Sequence, residues 1–213
     1  KEISKCVNYV DDVNNFVEEN PYIKQFCEFM ALKSANDQKL WTEWDNLNTD
    51  EDVLFMWKFI QTEFYLEWKE IKDYANKNGI KIIGDIPIYV AYDSADVWSE
   101  PEQFQLDKDN NPSAVAGCPP DAFSSDGQLW GNPVYNWRYM KKTGYDWWLK
   151  RLKASFEIYD VVRIDHFRGF EAYYCIKYGL KTAKVGKWLK GPDIAFWKLV
   201  KKKLGDLPVI AED

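Results

Sequence analysis

The run IKIIGDIPIYV, residues 80–90, decides the fold. It is nearly continuous in Ile and Val and follows directly on Gly79. A strand covered on both faces reads this way, and such strands belong to parallel sheets sandwiched by helices. YDVVRID at 159–165 and LPVIAED at 207–213 have the same character. EAYYCIKY at 171–178 predicts one more short strand. Helical patterns stand before the two later runs, at roughly 138–157 and 192–204. Helix followed by buried strand, repeated, predicts a parallel α/β architecture.

Upstream of Gly79 the pattern is helical. Val53, Met56, Trp57, Ile60, Phe64, Trp68 and Ile71 recur at spacings of three and four, which makes one apolar stripe. Thr49, Asp50, Glu51 and Asp52 precede it as cap and dipole-complementing residues. Gly79 suits the helix C-terminus. Val7 to Glu19 and Tyr22 to Ala35 predict two shorter helices, broken at Asn20-Pro21. Residues 1–78 are thus expected to form a helical subdomain and 79–213 an α/β unit. Between Tyr92 and Trp137 regularity fades, with Pro101, Pro112, Pro119, Pro120, Pro133, Gly117, Gly127 and Gly131. A segment of that length in a compact domain is usually functional, so 92–137 is expected to be a long active-site loop.

Composition narrows the function. A chain of 213 residues can bury a core without disulfide or metal staples. Its formal charge of −6 argues against gripping nucleic-acid phosphates, and no nucleic-acid partner is expected. The apolar runs fall far short of the ~20 residues of a membrane helix, so no membrane partner is expected either. The N-terminal stretch KEISKCVNYVDDV shows no basic segment leading into an apolar one. With no secretory signal, Cys6, Cys27, Cys118 and Cys175 are expected as reduced, packed thiols in the cytoplasm. No cysteine pair has CxxC spacing and there is one histidine, so no zinc site is expected. No segment looks like a dedicated calcium loop, and no cofactor is implied. GxGxxG, GxxxxGK[ST] and GxSxG are all missing. Eleven Trp, 13 Tyr and 12 Phe make 17% of the chain, enough to build a core and to spare some for sugar faces.

Each strand candidate ends in acid: Asp85 on the first, Asp165 on the second, Glu212 and Asp213 on the third. In parallel α/β folds the active site gathers at those C-terminal ends. Arg163 and Asp165 are two apart and so share a strand face. A guanidinium beside a carboxylate keeps it ionised, as a nucleophile requires. Glu212 follows the apolar Val209, Ile210 and Ala211, where a raised pKa would suit a proton donor. One ionised and one protonated carboxyl, ~5–5.5 Å apart, is the pair for glycoside chemistry with retention. On spacing alone two readings stand, this one and a set of helix-capping acids with a structural Arg–Asp pair.

Four motifs then carry a resemblance. RIDHFRGF at 163–170 resembles the nucleophile strand of the amylomaltases, the 4-α-glucanotransferases of glycoside hydrolase family 77. GDIPIYVAYDSADVW at 84–98 is similar to an earlier strand and loop of that family. CPPDAFSSDGQLWGNPVYNW at 118–137 is similar to its active-site loop, and VIAED at 209–213 to its acid/base strand. The resemblance implies part of a (β/α)8 TIM barrel, with the helical residues 1–78 as an inserted subdomain. It implies Asp165 as nucleophile and Glu212 as general acid/base. Arg163 and His166 would contact the nucleophile and sugar hydroxyls, and Asp85 would bind substrate. Asp121, Phe123, Trp130 and Asn132 would lie on the loop over an α-1,4-glucan or maltooligosaccharide. Ala122 stands where some members carry an aromatic.

The family's third carboxylate belongs to a later strand, and three strand candidates stand against eight. An internal segment of a longer enzyme, with an uncovered sheet edge at its last strand, is therefore expected. The oligomeric state is not legible. The rival readings are a retaining α-glucan hydrolase with the same two acids and a non-catalytic glucan-binding module. A metal-dependent hydrolase using Asp165, His166 and Glu212 is the weakest.

Overall fold

A computed structural model describes residues 7–213. Cys6 lies outside the described residues. The chain divides into two compact units. One runs to Asp73 and takes in Asp93–Ser99, and the other comprises Tyr74–Tyr92 and Glu100–Asp213.

The first unit is helical. It holds α1 (Val7–Glu19), α2 (Pro21–Ala35), most of α3 (Glu51–Lys77) and the short α4 (Ala95–Ser99). Pro21 opens α2 as the first-turn proline that costs no hydrogen bond. The Asp50 carboxylate accepts from the Asp52 and Val53 amides at 2.8 and 3.3 Å, the start that the acidic run at 49–52 announces. Gly79, with φ 75°, closes the far end. The core is Val17, Ile23 and Cys27, with Phe16, Tyr22, Leu54, Trp57 and Tyr65 against it.

The expected stripe on α3 is packed only in part. Trp57 meets the core, but Met56, Ile60, Phe64 and Ile71 are exposed, while Thr62 is buried. The packed face runs through Leu54, Trp57 and Tyr65, about one residue out of phase with the expected one. So many apolar residues sit on α3 that spacing alone admits both faces.

The second unit contains two sheets. β1 (Ile83–Pro87), β4 (Val161–Asp165) and β7 (Val209–Ala211) form a parallel sheet in the order β1-β4-β7. Helix α6 (Asp146–Ile158) leads into β4, and α7 (Asp193–Leu204) into β7. The expected covering of both faces does not hold. Gly84, Val162 and Ile164 are buried, but Ile83 and Ile210 are exposed along with Asp85 and Asp165. The sheet alternates because its open face carries the charged groups.

The second sheet is antiparallel and was not expected as a sheet. β2 (Ala114–Cys118), β3 (Gln128–Pro133), β5 (Ala172–Lys177) and β6 (Gly186–Lys190) lie in the order β3-β2-β5-β6. The segment 92–137 is therefore partly regular, since it supplies α4, β2 and β3. Its prolines fall at the borders of these pieces, which is why their pattern reads as loop. The helix expected over 138–157 is two: α5 (Trp137–Lys142) and α6. Gly144 at φ 70° and Tyr145 at φ 57° turn the chain between them.

Much of the aromatic content is core. Trp148, Tyr135, Phe170 and Phe196 are fully buried. Phe170 stacks on Phe196 at 5.2 Å, and Trp148 meets Phe170 edge-on at 5.0 Å. No helix among the described residues is long and apolar enough to cross a membrane.

Candidate active site at the parallel strand ends

The register brings the acids together. Asp85 pairs with Arg163 and Pro87 with Asp165 across β1 and β4. Arg163 pairs with Ile210, and Ile164 with Ala211, across β4 and β7. The next step puts Glu212 beside Asp165. Parallel partners share a face, so Asp85, Arg163 and Asp165 stand on one side.

Backbone bonds tie the three ends. The Ile88 amide donates to the Asp165 carbonyl at 3.1 Å, the Glu212 amide to the Ile164 carbonyl at 3.2 Å, and the Phe167 amide to the Glu212 carbonyl at 2.6 Å. His166 turns the chain at φ 55°, ψ 46°. That left-handed turn aims its amide at Glu212, and the Oε2 accepts it at 2.9 Å.

Arg163 is not the private partner of Asp165. Its guanidinium bonds the Asp85 carboxylate and reaches Glu212 Oε1 at 3.2 Å. The directions of the two shifts are accordingly the reverse of those expected from sequence. The His166 amide, the Asp165 interaction and the Arg163 charge hold the Glu212 carboxyl below the usual glutamate range. Burial, and the adjacent Glu212, push the Asp165 carboxyl up. Neighbouring carboxylates repel, and Glu212, with the better donors, holds its charge to lower pH than Asp165.

The other expected residues divide. Trp130 on β3 meets the His166 ring edge-on at 4.9 Å, so the long segment does reach the strand ends. Its indole N–H donates to Gln128 Oε1 at 3.0 Å. Asn132 donates to the Val90 carbonyl at 2.8 Å and fixes the chain beyond β1. The His166 ring is half-buried, burial lowers its pKa, and its buried Nε2 has no hydrogen-bond partner among the described residues. A neutral imidazole with a spare ring nitrogen can take a hydroxyl. Asp121 folds its own turn, accepting from the Phe123 and Ser124 amides at 2.8 and 2.7 Å. Phe123 is 99% exposed at the tip of that turn. Tyr89 escaped the sequence reading. It is buried, its ring lies 6.3 Å from Trp130 and it stacks on Tyr135 at 5.6 Å. Its only sequence signal is its place in the 84–98 motif.

Cys27, Cys118 and Cys175 are free thiols. Burial pushes the Cys27 thiol up to about 11, so it is a packed, unreactive group.

Known proteins resemble this chain in sequence and in fold. A 4-alpha-glucanotransferase of Clostridium butyricum is 50% identical over 93% of this chain and 44% of that protein. One from Streptococcus pneumoniae is 45% identical over 97% of this chain and 44% of its own. The structure of the amylomaltase from Streptococcus agalactiae in complex with acarbose superposes with a TM-score of 0.93 at 42% identity. It covers 99% of this chain and 46% of that one. The chain thus spans less than half the length of the relatives it matches. Residues 4–213 match the family model described as 4-alpha-glucanotransferase, and the chain belongs to that family.

Proposed function

We propose that the protein carrying this chain is a retaining 4-α-glucanotransferase that moves α-1,4-glucan segments between maltooligosaccharides. The observation that carries the reading is the clustering of Asp85, Arg163, Asp165 and Glu212 at three adjacent parallel strand ends. The acarbose held by the Streptococcus agalactiae relative, a saccharide analogue, supports a glucan-type ligand.

In the first step Glu212 gives its proton to the leaving glucosidic oxygen. An Asp165 carboxylate oxygen bonds to the anomeric carbon as that carbon–oxygen bond breaks. In the second step Glu212 takes the proton of an acceptor 4-hydroxyl. The freed oxygen displaces Asp165 from the same carbon, so the configuration is retained. The cycle needs Glu212 protonated and Asp165 ionised when a sugar ring lies between the two carboxyls. Arg163, charged throughout, steadies Asp85 and Glu212 while the charge moves. His166 and Asp85 are placed to hold sugar hydroxyls, and Trp130 to lay its ring on a sugar face. Asp121, Phe123 and Asn132 belong to the segment over the glucan, where excluding water favours transfer.

The parallel strands with their preceding helices are read as part of a (β/α)8 barrel. Residues 1–78 are read as the inserted helical subdomain and 79–213 as the catalytic part, with the long segment 92–137 across it. The free thiols favour a reducing, cytoplasmic compartment.

Product analysis of the whole protein with maltotriose tests the reading. A ladder of longer and shorter maltooligosaccharides is expected. Glucose and maltose alone would make it a hydrolase. Binding without turnover, unchanged by Asp165→Asn, would make it a glucan-binding module.

A further inference from the structure

We propose that Arg151 is a positioning residue for the nucleophile, acting through the Ile88 peptide rather than through the substrate. The inference rests on Asp165 being the nucleophile. Arg151 lies on α6, about a turn and a half after its start. Its Nη2 donates to the Pro87 carbonyl at 2.7 Å and its Nη1 to the Ile88 carbonyl at 2.9 Å. Those are the last carbonyl of β1 and the one after it. The Tyr135 hydroxyl donates to the same Ile88 carbonyl at 2.6 Å and lies 3.3 Å from Nη1. The guanidinium is laid over the Trp148 ring at 4.9 Å and the Trp147 ring at 5.5 Å. Trp148, Tyr135 and Ile88 are fully buried, so the fork is held in a rigid frame.

The consequence runs along the peptide. The Ile88 amide donates to the Asp165 carbonyl at 3.1 Å. Pro87 and Asp165 are also register partners. The Pro87–Ile88 peptide, whose carbonyl Arg151 holds and whose N–H meets Asp165, therefore sets the main chain of Asp165, and Arg151 with Tyr135 fixes the peptide that follows it. Beyond a strand end these carbonyls have no ladder partner, so side-chain donors must replace it. A planar fork can hold two carbonyls at a fixed angle, whereas an ammonium on a flexible stem cannot. Displacement of a reacting group by about 1 Å costs roughly 10²-fold in rate.

The test measures maltotriose disproportionation by the whole protein in four variants. Asp165→Asn must first abolish turnover. If it does not, the catalytic reading fails and the positioning role falls with it. Arg151→Lys is then expected to lower kcat by roughly 10-fold or more with KM little changed. The acid limb of its kcat/KM profile should also shift. That limb is set by Asp165 with Glu212, Arg163, Asp85 and His166 around it. A purely structural arginine would lower the amount of folded protein, leaving kcat per folded molecule and the pH profile as they were. That result would overturn the inference. Tyr135→Phe keeps the ring and removes one donor, and is expected to lower kcat several-fold. It carries the test if Arg151→Lys does not fold, and wild-type kcat in it would then count against the inference. Arg138→Lys, on the exposed face of α5, is the control and should leave all parameters unchanged.

Discussion

Arg163 sits between two carboxylates, and that placement reverses what neighbouring positions in sequence imply. The period of a strand puts Arg163 and Asp165 on one face but does not say which acid the guanidinium reaches. The register across β1 and β7 does, and it delivers Asp85 and Glu212. Asp165 is left with a pKa raised by burial and by Glu212. Folding therefore favours its protonated form. The stability this contributes is complete below the ordinary aspartate value of 3.8 and is lost as pH rises through the folded-state value. Asparagine has no such dependence. The melting midpoint of Asp165→Asn is expected to lie above that of the native protein at pH 7, and the gap to close as pH falls below 4. A gap that widened on acidification would refute the assigned direction. The same substitution is expected to cut turnover by about 10⁴-fold or more, measured as maltotriose consumed. Gly84 is a second residue decided by contact. A Cβ there would lie 2.1 Å from the Tyr159 ring, so Gly84→Ala is expected to lose about 1–3 kcal/mol in denaturant unfolding.

Among the elements, the helix ends were legible and the packed faces were not. Asn20-Pro21, the acids at 49–52 and Gly79 act within one turn of backbone, so their meaning survives without tertiary context. The cap of α5 is of the same local kind. The Asn136 side chain accepts from the Tyr139 amide at 3.2 Å. Asn136→Ala is expected to cost about 1 kcal/mol, read from a chemical melt. The face of α3 is a different case, because apolar residues surround most of its circumference and the neighbours choose among them. β2 and β3 were hidden for another reason. Short strands between prolines have too few residues to show a period, and β5, the second partner of β2, lies more than 50 residues further on.

At the scale of the whole molecule, two interacting carboxyls at the strand ends, one an acid and one a nucleophile, predict a bell-shaped pH dependence. Turnover of the free enzyme, as kcat/KM for maltotriose, should fall on the acid side when Asp165 and Glu212 both carry protons. It should fall again on the alkaline side when neither does. A profile with a single limb would mean that only one of the two carboxyls takes part. Of the residues expected in the site, Asp85, Arg163, Asp165 and Glu212 lie together at adjacent strand ends, Trp130 meets His166, and Asn132 bonds the chain just beyond β1. Asp121 and Phe123 form an exposed turn of their own, where any part in binding depends on what meets it.

The sequence by itself determined α1 to α3, the three parallel strands and the acids at their ends. Each is a matter of period, cap or punctuation within about ten residues. Only the tertiary structure decided which strands neighbour one another, which face of α3 is covered, and which way each carboxyl's pKa moves. Those depend on distances between residues far apart in the chain, and both Coulomb energies and desolvation are set by distance.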